Sequence, residues 1–295
     1  MALIDNHRLQ QERSEPCPGT LYIVGTPIGN LDDLSPRAKY ILKNVSLIAC
    51  EDTRRSGKLM KTIKSKVPLL SYHKHNLKSR QSQLLEILES NESIALISDA
   101  GLPGINDPGH ELVHAARSNS FEVICIPGPC AATTALVISG LPTERFCFEG
   151  FLPKKQSIRK KRLEDISQEG RTTVIYESPH QLIKLLEDLS ILCGKDRPIQ
   201  IARELTKRYE ESIGETIEEV LKYFLNKKPK GEFTIVLGGK TNKQKNKTSE
   251  SNALNKLNKL IKQGERANVA ARKIADETGY EKKWLYSKLH KELDK

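Results

Sequence analysis

The sequence lacks most of the features that fix a protein's class directly. No apolar run approaches the roughly 18 residues that span a bilayer, which excludes a helical membrane protein. The opening residues, MALIDNHR, have no apolar centre of the kind a secretory signal needs, so a cytoplasmic location is expected. The six cysteines, at 17, 50, 125, 130, 147 and 193, form no Cys-x-x-Cys pair. Most lie in apolar runs and read as small, reduced core residues, not as a disulfide frame or a zinc site. Neither G-x-G-x-x-G nor G-x-x-x-x-G-K-[ST] occurs after the first strand, so dinucleotide and P-loop binding lack support.

What is present is a chain of 295 residues, 37% hydrophobic, long enough for two domains with their own cores. Its net charge of +11 is unevenly spread. From Lys240 to the end there are 15 Lys and Arg against 7 Asp and Glu, and the rest is nearly balanced. A basic tail on a near-neutral body suits a polyanionic partner such as nucleic acid, or serves only solubility.

Short apolar runs recur, each followed by a turn and a helical pattern. They predict strands at 20–24, 45–50, 67–71, 94–97 and 121–126, and this alternation argues for a parallel sheet. Ser35 followed by Pro36 predicts a capped helix start. From 146 the strands at 146–151, 172–177, 198–202, 210–213 and 231–237 lie closer together and predict a mixed sheet. Residues 1–19 read as a disordered extension and 241–252 as a lysine-rich linker. The last stretch, 253–295, reads as a helix-turn-helix-like basic module carrying Trp284 and Tyr286.

Chemistry gathers at the strand ends. The stretch SDAGLPGINDPG at 98–109 packs three glycines and two prolines into a loop between a strand and a helix. In an open α/β sheet this is where ligands bind, and Asp99 could accept a hydrogen bond there. The cluster EDTRR at 51–55 and the cluster YHKHN at 72–76 occupy equivalent positions. The turn PGPCAATTA at 127–135 opens a helix with small residues, leaving backbone N–H groups approachable. Each also has a plain structural reading as a cap or a turn. The motif HELVH at 110–114 matches a zinc peptidase pattern but follows Pro108-Gly109 and lacks the extended signature, so it is set aside.

Taken together, YIVGTPIGNLDDL (22–34), CEDTRR (50–55), the 98–109 loop and IPGP (126–129) resemble the RNA-modifying branch of the tetrapyrrole-methylase-like superfamily. GLPT (140–143), EGFLP (149–153), YESPH (176–180) and ARELTK (202–207) add to the resemblance, which is to the ribosomal small-subunit RNA methyltransferase I family. The motifs run in order over about residues 20–240. That family usually has threonine where this chain has Leu102 and serine where it has Cys130. The resemblance implies two α/β domains, 20–140 and 141–240, with a cofactor cleft between them, and a homodimer. It implies S-adenosylmethionine-dependent 2'-O-methylation of a cytidine ribose in 16S rRNA, free or within the 30S subunit. Carried onto this chain, the cofactor contacts fall on Pro27, on Asp99, Ala100, Gly101, Leu102, Pro103 and Gly104, and on Ala131, Ala132, Thr133 and Thr134. They also fall on Tyr176, Ala202, Arg203, Gly231, Glu232 and Thr234. Glu51, Asp52 and Glu177 are candidates for the proton acceptor. Arg54, Arg55, His73, Lys154, Lys155 and Arg159 are candidates for RNA phosphate. The competing readings are a methyltransferase of the same fold acting on a tetrapyrrole or a protein side chain, and a non-catalytic RNA-binding protein.

Overall fold

A computed structural model describes residues 15–240 and 249–293. Residues 1–14 of the expected extension and 241–248 of the expected linker lie outside the described residues. The chain divides into one compact unit that ends at Gly239 and a second that starts at Lys240.

The first unit contains two five-stranded sheets. In the first sheet, β1 (Thr20–Val24), β2 (Leu47–Cys50), β3 (Leu69–Ser71), β4 (Ile94–Ile97) and β5 (Glu122–Ile126) are all parallel, in the order β3-β2-β4-β1-β5. Every residue of β1 and β4 is buried. That is why both read as unbroken apolar runs, as strands covered on two faces do. Their connections carry α1 (Pro36–Asn44), α2 (Thr53–Ile63), α3 (Leu77–Glu89) and α4 (His110–Ser118). Tyr22 and Ile48 join the core on one face, Leu21 and Leu84 the core on the other, as the two-residue period of a strand requires. Ser35 caps α1 by accepting from the Ala38 N–H at 3.1 Å. Of the cysteines only Cys50 is fully buried, and Cys125 is exposed. β5 lies at the sheet edge, so the apolar run around Cys125 is only half covered and the core reading fails there.

The second sheet is mixed. It comprises β6 (Phe146–Phe151), β7 (Thr172–Glu177), β8 (Ile199–Arg203), β9 (Glu211–Ile213) and β10 (Phe233–Leu237), ordered β6-β7-β10-β8-β9. Only the β6–β7 pair is parallel. Helices α6 (Gln156–Gln168), α7 (Leu182–Cys193) and α8 (Ile217–Asn226) contribute to its main core, where Leu163, Leu185 and Phe224 pack with Ile201 and Ile235. A separate core cluster is formed with α5 (Ala131–Ile138), which follows β5 in the chain. Ala132, Ala135 and Leu136 of α5 pack on Val174, Ala202 and Val236 of the second sheet. Small residues let that helix approach closely, so the joint between the two sheets is itself a packed core.

The second unit is a bundle of α9 (Glu250–Lys262), α10 (Ala267–Thr278) and α11 (Lys282–Leu293) around Leu257, Ala270, Ile274 and Leu285. Ser249 caps α9, so the end of the expected linker is already helix. Gly279 closes α10 with a left-handed φ of 76°. Trp284 stacks on Tyr280 with centroids 4.6 Å apart and planes 15° apart. The tryptophan is therefore engaged within the bundle. Among the described residues no helix is long and apolar enough to cross a membrane.

Candidate active site

The loops after β1, β2, β4 and β5 leave the same edge of the first sheet, the carboxyl edge where ligands of open α/β sheets sit. Three of them are locked together. Thr26 and Gly101 exchange two backbone hydrogen bonds, of 2.9 and 3.1 Å. The Gly25 N–H donates to the Ile126 carbonyl at 3.2 Å. A Cβ on Gly25 would stand 2.7 Å from the Cα of Gly128, so these two loops meet backbone to backbone and admit no side chain. Gly101 and Gly104 hold φ near 84° and 83°, which glycine reaches without strain.

A cavity of about 490 Å³ lies between these loops and the second sheet. Asp99, Ala100, Gly101, Leu102, Ala131 and Tyr176 line it, with Ala202, Gly231, Glu232 and Thr234 opposite. The other cofactor candidates do not line it. Pro27 gives way to its neighbour Ile28. Pro103 and Gly104 lie beyond the wall, Gly104 against the backbone of Gly109. Thr133 and Thr134 turn their hydroxyls back to the Cys130 carbonyl at 3.2 and 2.8 Å. The Ala132 N–H donates to the Tyr176 hydroxyl at 3.1 Å. Arg203 donates to the Lys230 carbonyl at 2.7 Å and to Glu211 at 3.0 Å, both away from the cavity. A motif in sequence marks a loop, and the turn of the backbone decides which of its residues face inward.

Sequence reasoning missed several lining residues, including Ile105, Asn106, Asp107, Phe151 and Leu205. Residues 105–107 lie in the 98–109 loop, but beyond its first two glycines. Phe151 depends on a bulge in β6, where the register shifts between Phe148 and Gly150. Gly150 there has φ 62°, and Asn106 Oδ1 accepts from the Phe151 N–H at 3.4 Å. Such a bulge re-aims a side chain without any pattern that betrays it beforehand.

The cavity wall is acidic. Asp99 Oδ2 is 3.2 Å from Arg55, and its Oδ1 accepts from the Asp52 N–H at 3.2 Å. Burial raises the Glu51 carboxyl above its ordinary value, and the charge of Asp99 adds to this. Asp107 is pushed up to about 6, first by burial and then by Glu51 and Asp99.

Of the candidate proton acceptors, Glu51 and Glu177 line the cavity and Asp52 does not. Asp52 caps α2, accepting from the Arg54 N–H at 2.9 Å, and its carboxylate pairs with the Arg54 guanidinium at 2.7 Å. Those contacts hold it well below the usual carboxylate range. Glu177 is anchored: Oε2 lies 3.4 Å from Arg159 and Oε1 accepts from the Ser178 N–H at 2.8 Å. The same pair removes Arg159 from the phosphate candidates. It is buried on the inner face of α6, between Glu177 and Asp188, where no RNA can reach it. Arg54 is exposed but tied to Asp52, and Arg55 stands at the cavity wall. Lys154 and Lys155 are exposed where α6 begins. His73 is half-buried, and its Nδ1 has no hydrogen-bond partner among the described residues. Its neighbour Tyr72 is a core residue, 1% exposed. His110 is the first residue of α4, with Nδ1 3.2 Å from Glu111. Among the described residues no three His, Cys, Asp or Glu side chains are grouped as a metal would need.

The family model described as Tetrapyrrole (Corrin/Porphyrin) Methylases matches residues 20–221. The chain belongs to the tetrapyrrole methylase family. Relatives named Ribosomal RNA small subunit methyltransferase I are close. The protein from Synechocystis sp. is 45% identical over 268 residues, covering 91% of this chain and 96% of that one. That from Haemophilus influenzae is 43% identical over 270 residues, covering 91% and 95%. Solved structures share the fold at lower identity. The methyltransferase CobJ is 19% identical with a TM-score of 0.56, covering 75% of this chain and 94% of CobJ. A Thermus thermophilus uroporphyrin-III C-methyl transferase, complexed with S-adenyl homocysteine, is 17% identical with a TM-score of 0.53, covering 74% and 97%.

Proposed function

We propose that the protein transfers a methyl group from S-adenosylmethionine to the ribose 2'-oxygen of a cytidine in 16S rRNA. The observation that carries this is the acidic cavity at the joint of the two sheets, walled by the loops that bear the family motifs. Its volume of about 490 Å³ falls in the range of small-molecule sites. Five carboxyl side chains line it, Glu51, Asp99, Asp107, Glu177 and Glu232, against one basic residue, Arg55, which pairs with Asp99, and this suits a positively charged donor. When bound, S-adenosylmethionine supplies an electrophilic methyl carbon on a sulfonium. Asp99, held by Arg55 and the Asp52 N–H, offers a fixed polar anchor. Phe151, Tyr176 and Leu205 supply apolar wall and exclude water, and Gly101, its backbone paired with Thr26, puts no side chain into the cavity. Holding donor and hydroxyl in line accounts for much of the rate.

The 2'-hydroxyl must lose its proton. Glu51 and Asp107 are the carboxyls placed for this, since burial has made both more basic than an ordinary carboxylate. The rRNA substrate rests on the names of the close relatives. The basic tail and Lys154–Lys155 fit it better than a small tetrapyrrole, which needs no such charge. On the family resemblance the working form is a cytoplasmic homodimer. The test is transfer of labelled methyl from the cofactor to isolated 30S subunits and to free 16S rRNA, followed by nucleotide mapping. A label on a cytidine ribose supports the reading, and no incorporation into either substrate refutes it.

A further inference from the structure

Strand β8 runs out of the cavity wall into a short loop, 204–210, before β9. Ala202 and Leu205 face the cavity. Glu204 and Thr206 then both adopt left-handed φ, 53° and 64°, conformations that non-glycine residues hold only when the surroundings enforce them. Here they are enforced. The Lys207 N–H donates to the Glu204 carbonyl at 3.0 Å, and Glu210 accepts from the Thr206 N–H at 2.7 Å. The Lys207 ammonium bridges Glu204 and Glu232 at 3.0 and 2.9 Å. At the tip of this pinned loop Arg208 and Tyr209 are both exposed, Tyr209 to 65%. The Arg208 guanidinium carbon is 5.6 Å from the Tyr209 ring centroid. Packing gives no reason for so large a ring to be held out of the core.

The foot of the same hairpin is basic. Arg203 and Lys227 neutralise Glu211 at 3.0 and 3.2 Å. A hollow of about 250 Å³ is lined there by these residues with Lys228 and Lys230. Lys228 and Lys230 are exposed and make no ion pair among the described residues.

We propose that Arg208 and Tyr209 form a stacking platform for an unpaired base of the RNA substrate, with Lys228 and Lys230 holding the adjoining phosphates. This rests on the rRNA reading above. Unpaired bases are gripped by aromatic rings and guanidinium planes, tolerantly of sequence because every base has a π face. A rigid loop that starts in the cavity wall is suited to fix the strand whose ribose must enter that cavity.

The full-length chain tests this with 30S subunits and free 16S rRNA as probes. Tyr209→Ala weakens RNA binding by at least about fivefold, the effect of the weakest base–aromatic stack, while Tyr209→Phe binds as the parent does. Lys228→Ala/Lys230→Ala flattens the dependence of log K on log salt by about 0.7 for each phosphate that is no longer neutralised. Cofactor affinity by calorimetry stays unchanged in all three. Tyr209→Ala binding like the parent overturns the platform, as does Tyr209→Phe as weak as Tyr209→Ala. A lysine effect without a tyrosine effect makes the surface purely electrostatic and also overturns it. If the parent methylates RNA and Tyr209→Ala is unaltered, only the platform falls. If the parent neither binds nor methylates RNA, the functional reading falls with it.

Discussion

Asp107→Asn should make the protein more stable and less active. The Asp107 carboxyl, ordinarily 3.8, is pushed up to about 6 in the fold by burial and by Glu51 and Asp99. A raised carboxyl pKa means that the native state binds the proton more tightly than the unfolded chain. Stability is then highest below the ordinary pKa and falls as pH rises from about 4 to about 6, beyond which the full cost persists. Two pKa units correspond to about 3 kcal/mol at most, and partial exposure of the side chain reduces this to about 1–2 kcal/mol. Asparagine is neutral throughout, so at pH 7.5 the variant should melt about 3–6 °C higher than the parent. At pH 4, where the parent carboxyl is also protonated, the gap should close. Thermal unfolding of both proteins at the two pH values is the assay. A gap that is absent at pH 7.5, or the same at both, refutes the reasoning. If Asp107 also takes the 2'-hydroxyl proton, the variant loses about 10²- to 10⁴-fold in turnover and the parent's rate rises with pH through about 6. Full activity in a stabilised variant would leave the electrostatics intact and remove Asp107 from catalysis.

Asp99→Ala should weaken S-adenosylmethionine binding by at least about tenfold, the loss expected for a hydrogen bond to a charged group. Calorimetry at unchanged affinity would take Asp99 out of the site. Arg159→Met leaves Glu177 buried without its cation, and should cost about 3–5 kcal/mol in urea unfolding; a neutral result would mean that the pair is not structural. Gly128→Ala drives a methyl to 2.8 Å from Gly25 Cα and should cost about 1–3 kcal/mol, seen as a lower urea midpoint. Tyr176→Phe removes the acceptor of the Ala132 N–H and should cost about 1–2 kcal/mol, read in the same experiment.

Strands β1, β4 and β10 were legible because burial on both faces writes itself as continuous apolar sequence. Boundaries slipped where an apolar residue precedes the ladder, as at Val45 and Val67. The motif loops were legible as loops, since Gly101, Gly104 and Gly128 sit where chain geometry demands them. Which of their neighbours face the cavity was not. Cys125 illustrates the limit: its run looks like core, but the strand is at an edge.

The amino-acid order alone determined the alternation of strand and helix, the shift from a parallel to a mixed sheet, the basic tail and the family. These are properties of local pattern, in which side-chain periodicity and backbone preference act within a few residues. Only the tertiary structure decided that α5 of the first half packs on the sheet of the second, and that Glu51, Asp99 and Asp107 share one wall. It alone decided that Arg159 is a buried partner of Glu177. Each of these joins residues far apart in the chain, and both the burial that sets their charge and the contacts that fix their orientation exist only once the two sheets have met.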